Sequence, residues 1–183
     1  MASATTAAPA IPVIQTERLI LRGYSADDLD DVYALLSDPE VMRYLGGVSL
    51  SREDAWRKLL GHVGHWSLLG FGFWVAVDRV SGRFVGSVGL AHFNRGVNAA
   101  FDGAPEIGWV LATWAHGRGL ATEAARAAVA WGEQRFGWSK TVCLIHSGHA
   151  QSLEVAAKCG YRETERTVYK ETPVVLLERT AAR

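Results

Sequence analysis

The sequence of 183 residues lacks the features of a membrane protein, a disulfide-stabilised protein or a polyanion-binding protein. No apolar run approaches the ~20 residues that cross a bilayer. The two cysteines, Cys143 and Cys159, form no Cys-x-x-Cys pair, so we expect reduced, buried thiols. Nineteen basic and nineteen acidic side chains cancel, so no overall field favours nucleic acid or an anionic membrane. We therefore expect a cytoplasmic protein that binds neither of them.

The N-terminal residues also lack a targeting pattern. Residues 1–11 are rich in Ala, Ser and Thr, without the basic and apolar regions of a secretory signal. We predict a flexible leader over residues 1–11 and one domain over residues 12–181. The length suits a single domain, and 49% hydrophobic residues suffice for its core.

The most informative stretch begins at Glu106. An apolar, partly β-branched run follows it, as expected of a buried strand: Ile107, Trp109, Val110 and Leu111. Gly117 and Gly119 then allow a tight turn, and from Leu120 onward good helix formers dominate. Such a turn points unpaired N–H groups outward at the positive end of a helix dipole. The stretch therefore predicts a phosphate site.

What this turn lacks restricts the ligand. It has no Gly-Lys-Ser/Thr ending, and Thr122 stands where a dinucleotide-binding loop has its third glycine. Residues 116–121, His-Gly-Arg-Gly-Leu-Ala, resemble instead the pyrophosphate loop of the GNAT N-acetyltransferase superfamily, Gln/Arg-x-x-Gly-x-Gly/Ala. His116 departs from the usual first residue, which matters little where main-chain amides hold the phosphates. An ordinary strand-to-helix turn is the alternative.

Periodicity and turn residues predict a mixed α/β fold with one central sheet. The predicted order is strand, two helices, three strands, helix, strand, helix and two strands, or about seven strands flanked by about four helices. Strands are expected over residues 16–23, 71–78, 83–93, 106–111, 141–146, 161–169 and 172–178. Helices are expected after the caps Ser25 and Ser51, from Leu120 to Phe136 and over residues 150–158. Residues 94–105 are predicted as a loop.

This order resembles the GNAT fold over about residues 12–180. Local matches at residues 16–22, 106–109, 149–152 and 158–161 resemble the Rim-type branch. That branch includes enzymes that acetylate the N-termini of ribosomal proteins and relatives that act on small amines. The resemblance implies transfer of an acetyl group from acetyl-CoA to a primary amine by direct attack in a ternary complex. The acceptor stays open among a peptide N-terminus, an aminoglycoside, a polyamine and an amino acid. Whether the protein forms a homodimer stays open as well.

The resemblance also implies which residues hold the cosubstrate. They come from the end of the central strand, the phosphate loop and the start of the next helix. The acetyl-CoA ligands implied are Val110, Leu111, His116, Gly117, Arg118, Gly119, Leu120, Ala121, Thr122, His149 and Ser152.

Two side chains are candidates for proton transfer. Glu106 begins the central strand and is the candidate general base, with a solvent-facing carboxylate as the alternative. Ser152 occupies the family position whose hydroxyl approaches the sulfur of coenzyme A and is the candidate acid. Its alternative is a serine that only satisfies the first turn of its helix.

Two departures from the family pattern keep other interpretations open. Ala156 stands where many GNAT enzymes have a tyrosine, and His149 stands where an asparagine is usual. His149 or water could therefore replace Ser152 as the proton donor. A non-catalytic acyl-CoA-binding or sensing domain is the first alternative function. A nucleotide-binding enzyme is the second, disfavoured by the missing lysine and third glycine.

Histidine spacing and aromatic residues complete the candidates. His62-x-x-His65 and His146-x-x-His149 have helical spacing, but no adjoining Glu and no Cys or Asp cluster completes a site. We expect no metal. Several aromatic residues lie in segments that border the acceptor pocket in the family, and we expect one or two of them to line it: Tyr44, Trp56, Trp66, Trp74 and Phe93.

Overall fold

The computed structural model describes residues 10–181. Most of the predicted leader thus lies outside the described residues. The described chain forms one eight-stranded mixed sheet in the order β1-β2-β3-β4-β5-β6-β8-β7. The strands are β1 (Ile14–Gln15), β2 (Leu19–Arg22), β3 (Phe73–Asp78), β4 (Phe84–Ala91), β5 (Glu106–Leu111), β6 (Lys140–His146), β7 (Arg162–Tyr169) and β8 (Thr172–Thr180).

Six α-helices accompany this sheet within residues 10–181. They are α1 (Leu29–Ser37), α2 (Pro39–Met42), α3 (Arg52–Leu69), α4 (Ala99–Asp102), α5 (Leu120–Phe136) and α6 (Ala150–Lys158). The predicted fold class is confirmed. The additional strand β1 has two residues, and the additional helices α2 and α4 have one turn each, too short for a periodic pattern.

The predicted helix starts are confirmed by their hydrogen bonds. The Ser25 N–H donates to the Asp28 carboxylate at 2.7 Å, and a 3₁₀ turn over Ala26–Asp28 leads into α1. The Ser51 hydroxyl accepts from the Asp54 N–H at 3.1 Å and caps α3. Each contact satisfies a backbone group that a helix start leaves without a partner.

One segment differs from the sequence prediction. The segment predicted as a loop over residues 94–105 contains α4, whose N-cap Asn98 accepts from the Phe101 N–H at 2.9 Å. The last hairpin agrees with the prediction: it turns at Lys170 and Glu171, with φ of +48° and +62°, and β8 begins at Thr172. Glycine usually marks such a turn in a sequence, and here it is absent.

The sheet carries a core on each face. Ile107 and Leu111 of β5 pack in the core that α5 and α6 cover, whereas Val110 packs beside the core of α1 and α3. A third, smaller cluster lies over β6 and β8 and includes Phe101 of α4. This alternation puts Glu106, which shares its face with Val110, opposite the α5 side of the sheet.

The feature that shapes the candidate site is the junction between β5 and β6. β5 pairs antiparallel with β4 along all six of its residues. Its parallel pairing with β6 is restricted to Glu106 and Val142. The two strands therefore separate towards their carboxyl ends and leave a slot in the sheet, with backbone groups along its edges. In residues 10–181 no helix is both long and apolar enough to cross a bilayer.

Candidate active site

The phosphate loop lies at the carboxyl end of β5. A 3₁₀ turn over Thr113–Ala115 precedes it, and Gly117 and Gly119 adopt φ of +69° and +75°. After His116, the next amide along the chain that has a backbone partner is that of Glu123. It donates to the Gly119 carbonyl at 3.1 Å. Among the described residues, the amides of residues 117–122 donate no hydrogen bond.

Six consecutive free N–H groups at the start of a 17-residue helix fit a pyrophosphate. A Cβ atom added at Gly117 would meet no atom within 4 Å, so the surface above the loop is open. The His116 ring turns away from this surface, and its Nε2 lies 2.8 Å from the Leu111 carbonyl oxygen. His116 thus fastens the loop to the end of β5.

The start of α6 lies on the other side of the slot. Helices α5 and α6 are in contact, and the Cys159 Sγ lies 3.8 Å from the Thr122 carbonyl oxygen. Ser152 is half-buried in the first turn of α6, and its hydroxyl has no hydrogen-bond partner within residues 10–181. The helix cap is His149, so the structure gives no support to a purely capping role for Ser152.

His149 stacks on an aromatic ring at this end of the slot. The ring centres of Tyr44 and His149 are 4.3 Å apart and the rings are inclined by 18°. The His146 ring lies 5.1 Å from the Tyr44 ring and is tilted by 58° against it. Burial lowers the pKa of His149, and the charges of His116 and His146 lower it further. His149 is therefore a neutral imidazole near pH 7, with one N–H available as a donor.

Ala156 occupies the position where many relatives have a tyrosine. It is fully buried in the core between the sheet, α5 and α6. A tyrosine at this position of the chain would have to displace core atoms before its hydroxyl reached the slot. This environment explains why the small side chain fits here.

Glu106 lies at the paired end of the slot and is 5% exposed, so the solvent-facing alternative is wrong. Both of its carboxylate oxygens accept from Arg95, with Nε–Oε2 and Nη2–Oε1 distances of 2.7 and 2.8 Å. Burial raises the pKa of Glu106 although Arg95 opposes the rise, and Asp102 contributes to it. Arg95 was not predicted because its loop carries no periodic signal.

The domain described as "Acetyltransferase (GNAT) domain" matches residues 18–162. The chain belongs to the GNAT acetyltransferase family.

Two similar proteins cover almost the whole GNAT chain. The uncharacterised protein YkkB of Bacillus subtilis is 30% identical over 171 residues, 90% of this chain and 93% of that protein. A solved structure from Bordetella pertussis, described as a GNAT-family acetyltransferase, is 31% identical with a TM-score of 0.82. The match covers 92% of this chain and 99% of that one.

More distant GNAT structures share the fold and differ in acceptor. Spermidine N-acetyltransferase from Vibrio cholerae, solved with CoA and spermine, is 17% identical with a TM-score of 0.71. The match covers 90% of this chain and 96% of that one. Ribosomal-protein-S5-alanine acetyltransferase from Vibrio fischeri is 14% identical with a TM-score of 0.72 and coverages of 92% and 96%. These similarities show the fold and do not distinguish a branch of the family.

A network from the N-terminal segment fixes the loop of this GNAT domain. The Thr16 hydroxyl donates to Glu123 at 2.6 Å, and the Arg18 N–H and Nε donate to the same carboxylate at 2.8 and 2.7 Å. The Arg18 Nη1 also donates to the Arg118 carbonyl at 2.8 Å. Burial would raise the pKa of Glu123, but these hydrogen bonds outweigh it and hold the pKa below its ordinary value.

The two cysteines and two of the candidate tryptophans lie in the core rather than in the site. Cys143 and Cys159 are free and buried, and burial raises the pKa of both thiols, so neither is a ready nucleophile. Trp66 and Trp74 pack edge to face in the main core, 4.8 Å apart. Phe93 is 44% exposed, and its ring lies beside Arg95, the partner of Glu106. No group of three or more His, Cys, Asp or Glu suited to a metal occurs in residues 10–181.

Replacing Gly119 with valine is expected to abolish CoA binding. A β-branched residue at φ +75° is strained and would move the free amides of the loop. In the wild type, CoA at a hundred times its dissociation constant should add about 2.7 kcal/mol of stability. Thermal shift with CoA measures this gain, and we expect Gly119→Val to lose it.

The matched control is Gly82→Val. Gly82 has a φ of +70° in the turn between β3 and β4, where an added Cβ would meet no atom within 4 Å. This variant carries similar strain and should keep the response to CoA. A folded Gly119→Val protein with unchanged CoA affinity would show that the phosphates bind elsewhere.

Arg18→Gln should weaken CoA binding because it releases the loop from the N-terminal segment. Arg18 is about half exposed, so we expect a two- to five-fold rise in the dissociation constant, on the order of 0.5–1 kcal/mol. Arg57→Gln is the control, since Arg57 makes exposed ion pairs with Glu53 and Asp54 within α3. Equal affinities of the two variants, measured by calorimetric titration, would contradict this role of Arg18.

Proposed function

We propose that this GNAT domain transfers an acetyl group from acetyl-CoA to a primary amine by direct attack in a ternary complex. The observation that carries the proposal is the run of six free amides over residues 117–122, placed at the open end of the slot between β5 and β6. The loop binds phosphate, and the unpaired strand edges along the slot offer polar groups to an extended arm. The reacting end of that arm would lie near Glu106, where the strands meet.

Acetyl-CoA supplies the acetyl group as a thioester when it is bound. The chain would hold it through three surfaces: the loop amides, the end of β5 at Val110 and Leu111, and the start of α6 at His149 and Ser152. The free edge of β5 offers backbone donors and acceptors there, because β6 has already diverged. Both helix N-termini add a positive field towards a negatively charged cofactor.

Glu106 is the proposed general base. An amine that attacks a thioester must first lose a proton, and a buried carboxylate with a raised pKa is suited to take it. The ion pair with Arg95 stabilises the charged form of Glu106 and so opposes the effect of burial on its pKa. Each carboxylate oxygen has a second lone pair, so the amine or a bridging water can approach while Arg95 is bound.

Ser152 is the proposed acid. Its hydroxyl has no partner among the described residues, and it lies in the first turn of α6 beside the slot. A donor there can protonate the departing thiolate. His149 is the second candidate donor, since its neutral ring has one N–H and stacks on Tyr44 at the same end.

Further features of the proposal rest on the sequence. The local matches at residues 16–22 and 149–152 favour the Rim-type branch. The first of these matches supplies Thr16 and Arg18, which hold the phosphate loop. We also propose a cytoplasmic location. The oligomeric state, monomer or homodimer, stays open until it is measured.

A non-catalytic acyl-CoA-binding domain is the second candidate function. Two observations favour it: Arg95 occupies both oxygens of Glu106, and Ala156 offers no hydroxyl to the slot. Release of free thiol from acetyl-CoA in the presence of an amine panel separates the two functions. Mass spectrometry of the products then identifies the acetylated amine. If CoA binds but none of the amines raises the rate of thiol release, the second function is favoured.

Glu106→Gln should lower turnover by about 10²–10⁴-fold at neutral pH, because the amide cannot accept a proton. CoA affinity should hardly change, since the phosphate loop lies at the other end of β5. The raised pKa also predicts a pH profile: wild-type turnover falls as the pH drops through that pKa, and the variant loses this dependence.

Glu163→Gln is the control for this charge change. Glu163 is exposed and pairs with Arg166 on β7, so its loss should leave turnover unchanged. Wild-type turnover of Glu106→Gln between pH 6 and 9 would reduce Glu106 to a structural residue.

Ser152→Ala should lower turnover and leave the melting temperature almost unchanged, because no hydrogen bond is lost. The comparison variant is Ser51→Ala, which removes the cap of α3 and should cost about 1 kcal/mol of stability without affecting turnover. Both quantities are measured on each variant. Full activity of Ser152→Ala would transfer the acid role to His149 or water.

A further inference from the structure

Arg95 is held more firmly than a surface loop residue usually is. Its guanidinium donates twice to Glu106, and its side chain is 22% exposed. The same group lies 4.5 Å from the ring centre of Phe93 and 5.2 Å from that of Tyr169. The β4–β5 loop, the start of β5 and the last hairpin therefore meet at one cation.

Backbone strain is concentrated around this cation. Within residues 10–181, the non-glycine residues with positive φ are Asn94, Lys170 and Glu171. Asn94 directly precedes Arg95, and Lys170 and Glu171 directly follow Tyr169. Strained backbone of this kind costs free energy and is typical of sites where the strain serves a function.

Charges of both signs surround Arg95. Asp102 is close enough to raise the pKa of Glu106. Lys58 of α3 is a second cation nearby: partial burial lowers its pKa, and the charge of Arg95 lowers it further. An incoming carboxylate would be attracted to these two cations, and an ammonium on the same molecule would be attracted to Glu106 and Asp102.

We propose that Arg95 determines acceptor specificity by binding a carboxylate of the acceptor, so that the acceptor carries an amine and a carboxylate in one molecule. This rests on the proposed function. The ammonium of such an acceptor takes Arg95's place at Glu106, while its carboxylate takes Glu106's place at Arg95. Two ion pairs replace one, and no unpaired charge is left buried.

The exchange also frees Glu106 for its chemistry. The ammonium transfers one proton to the Glu106 carboxylate, and the neutral amine attacks the thioester carbonyl. The new C–N bond forms as the C–S bond breaks, and the thiolate leaves with the electron pair. The thiolate takes a proton from the Ser152 hydroxyl, which recovers one from the acylated nitrogen. The products are an N-acetylated carboxylate and free thiol, so atoms and charges balance.

The first experiment uses the wild-type protein and matched acceptors. L-alanine is compared with L-alaninamide, and the amide of Ala-Asp with the amide of Ala-Asn, so that a free amino acid and a peptide carboxylate are tested separately. Spermidine is the polycationic acceptor. We expect kcat/KM to be about 10–100-fold higher for at least one carboxylate than for its matched amide, the scale of one charged hydrogen-bonded contact.

The second experiment tests whether Arg95 causes this preference. Arg95→Gln should lower kcat/KM for the carboxylate until it equals that of the matched amide, and Arg95→Lys should retain part of the preference. Arg166→Gln is the control, because Arg166 makes an equally bidentate pair with Glu163 on the exposed strand β7. Thermal shift with CoA shows that each variant is folded.

The outcomes separate this inference from the proposed function. If no acceptor releases thiol, the proposed function fails. If thiol is released and the amides or spermidine react as well as the carboxylates do, the inference on Arg95 is overturned and the acetyltransferase activity stands. A carboxylate preference that Arg95→Gln leaves intact also overturns it. If Arg95→Gln does not fold, Arg95→Lys and the wild-type panel still decide.

Discussion

The site depends on the way in which β5 and β6 meet. The two strands are joined at Glu106 and Val142 and diverge from there, whereas β5 remains paired with β4 throughout. A fully paired sheet would close the slot and satisfy the backbone edges along it. Partial pairing instead leaves those groups available and directs the ends of both strands into turns that lead into helices. The phosphate loop and the start of α6 thereby face a common opening.

The loop at this opening is fixed before a ligand arrives. Its six free amides make no bonds among the described residues, and a flexible loop with so many unsatisfied donors would adopt other conformations. Arg18 and Glu123 oppose this by connecting the first strands, the loop carbonyl of Arg118 and the first turn of α5. A loop fixed in advance loses less conformational entropy on binding, so more of the contact energy appears as affinity.

At the other end of the slot, two opposite effects act on the pKa of the Glu106 carboxyl. Burial raises the pKa of Glu106 and the guanidinium of Arg95 lowers it, and the pKa lies above the ordinary value. A buried ion pair of this kind contributes little net stability, because desolvation offsets the attraction. Its position beside a strained hairpin and two aromatic rings is better explained by recognition than by stability.

The sequence by itself determined the strands and helices with a regular period, the caps at Ser25 and Ser51, and the phosphate loop at Gly117 and Gly119. These features depend on residues close together in the chain, so local physics is sufficient. It also identified Glu106, though without its partner. The pairing with Arg95, the contact with Tyr169 and the divergence of β5 from β6 join residues distant in sequence. Only the tertiary structure decided them, because long-range contacts depend on how the whole sheet packs and leave no periodic trace in the sequence.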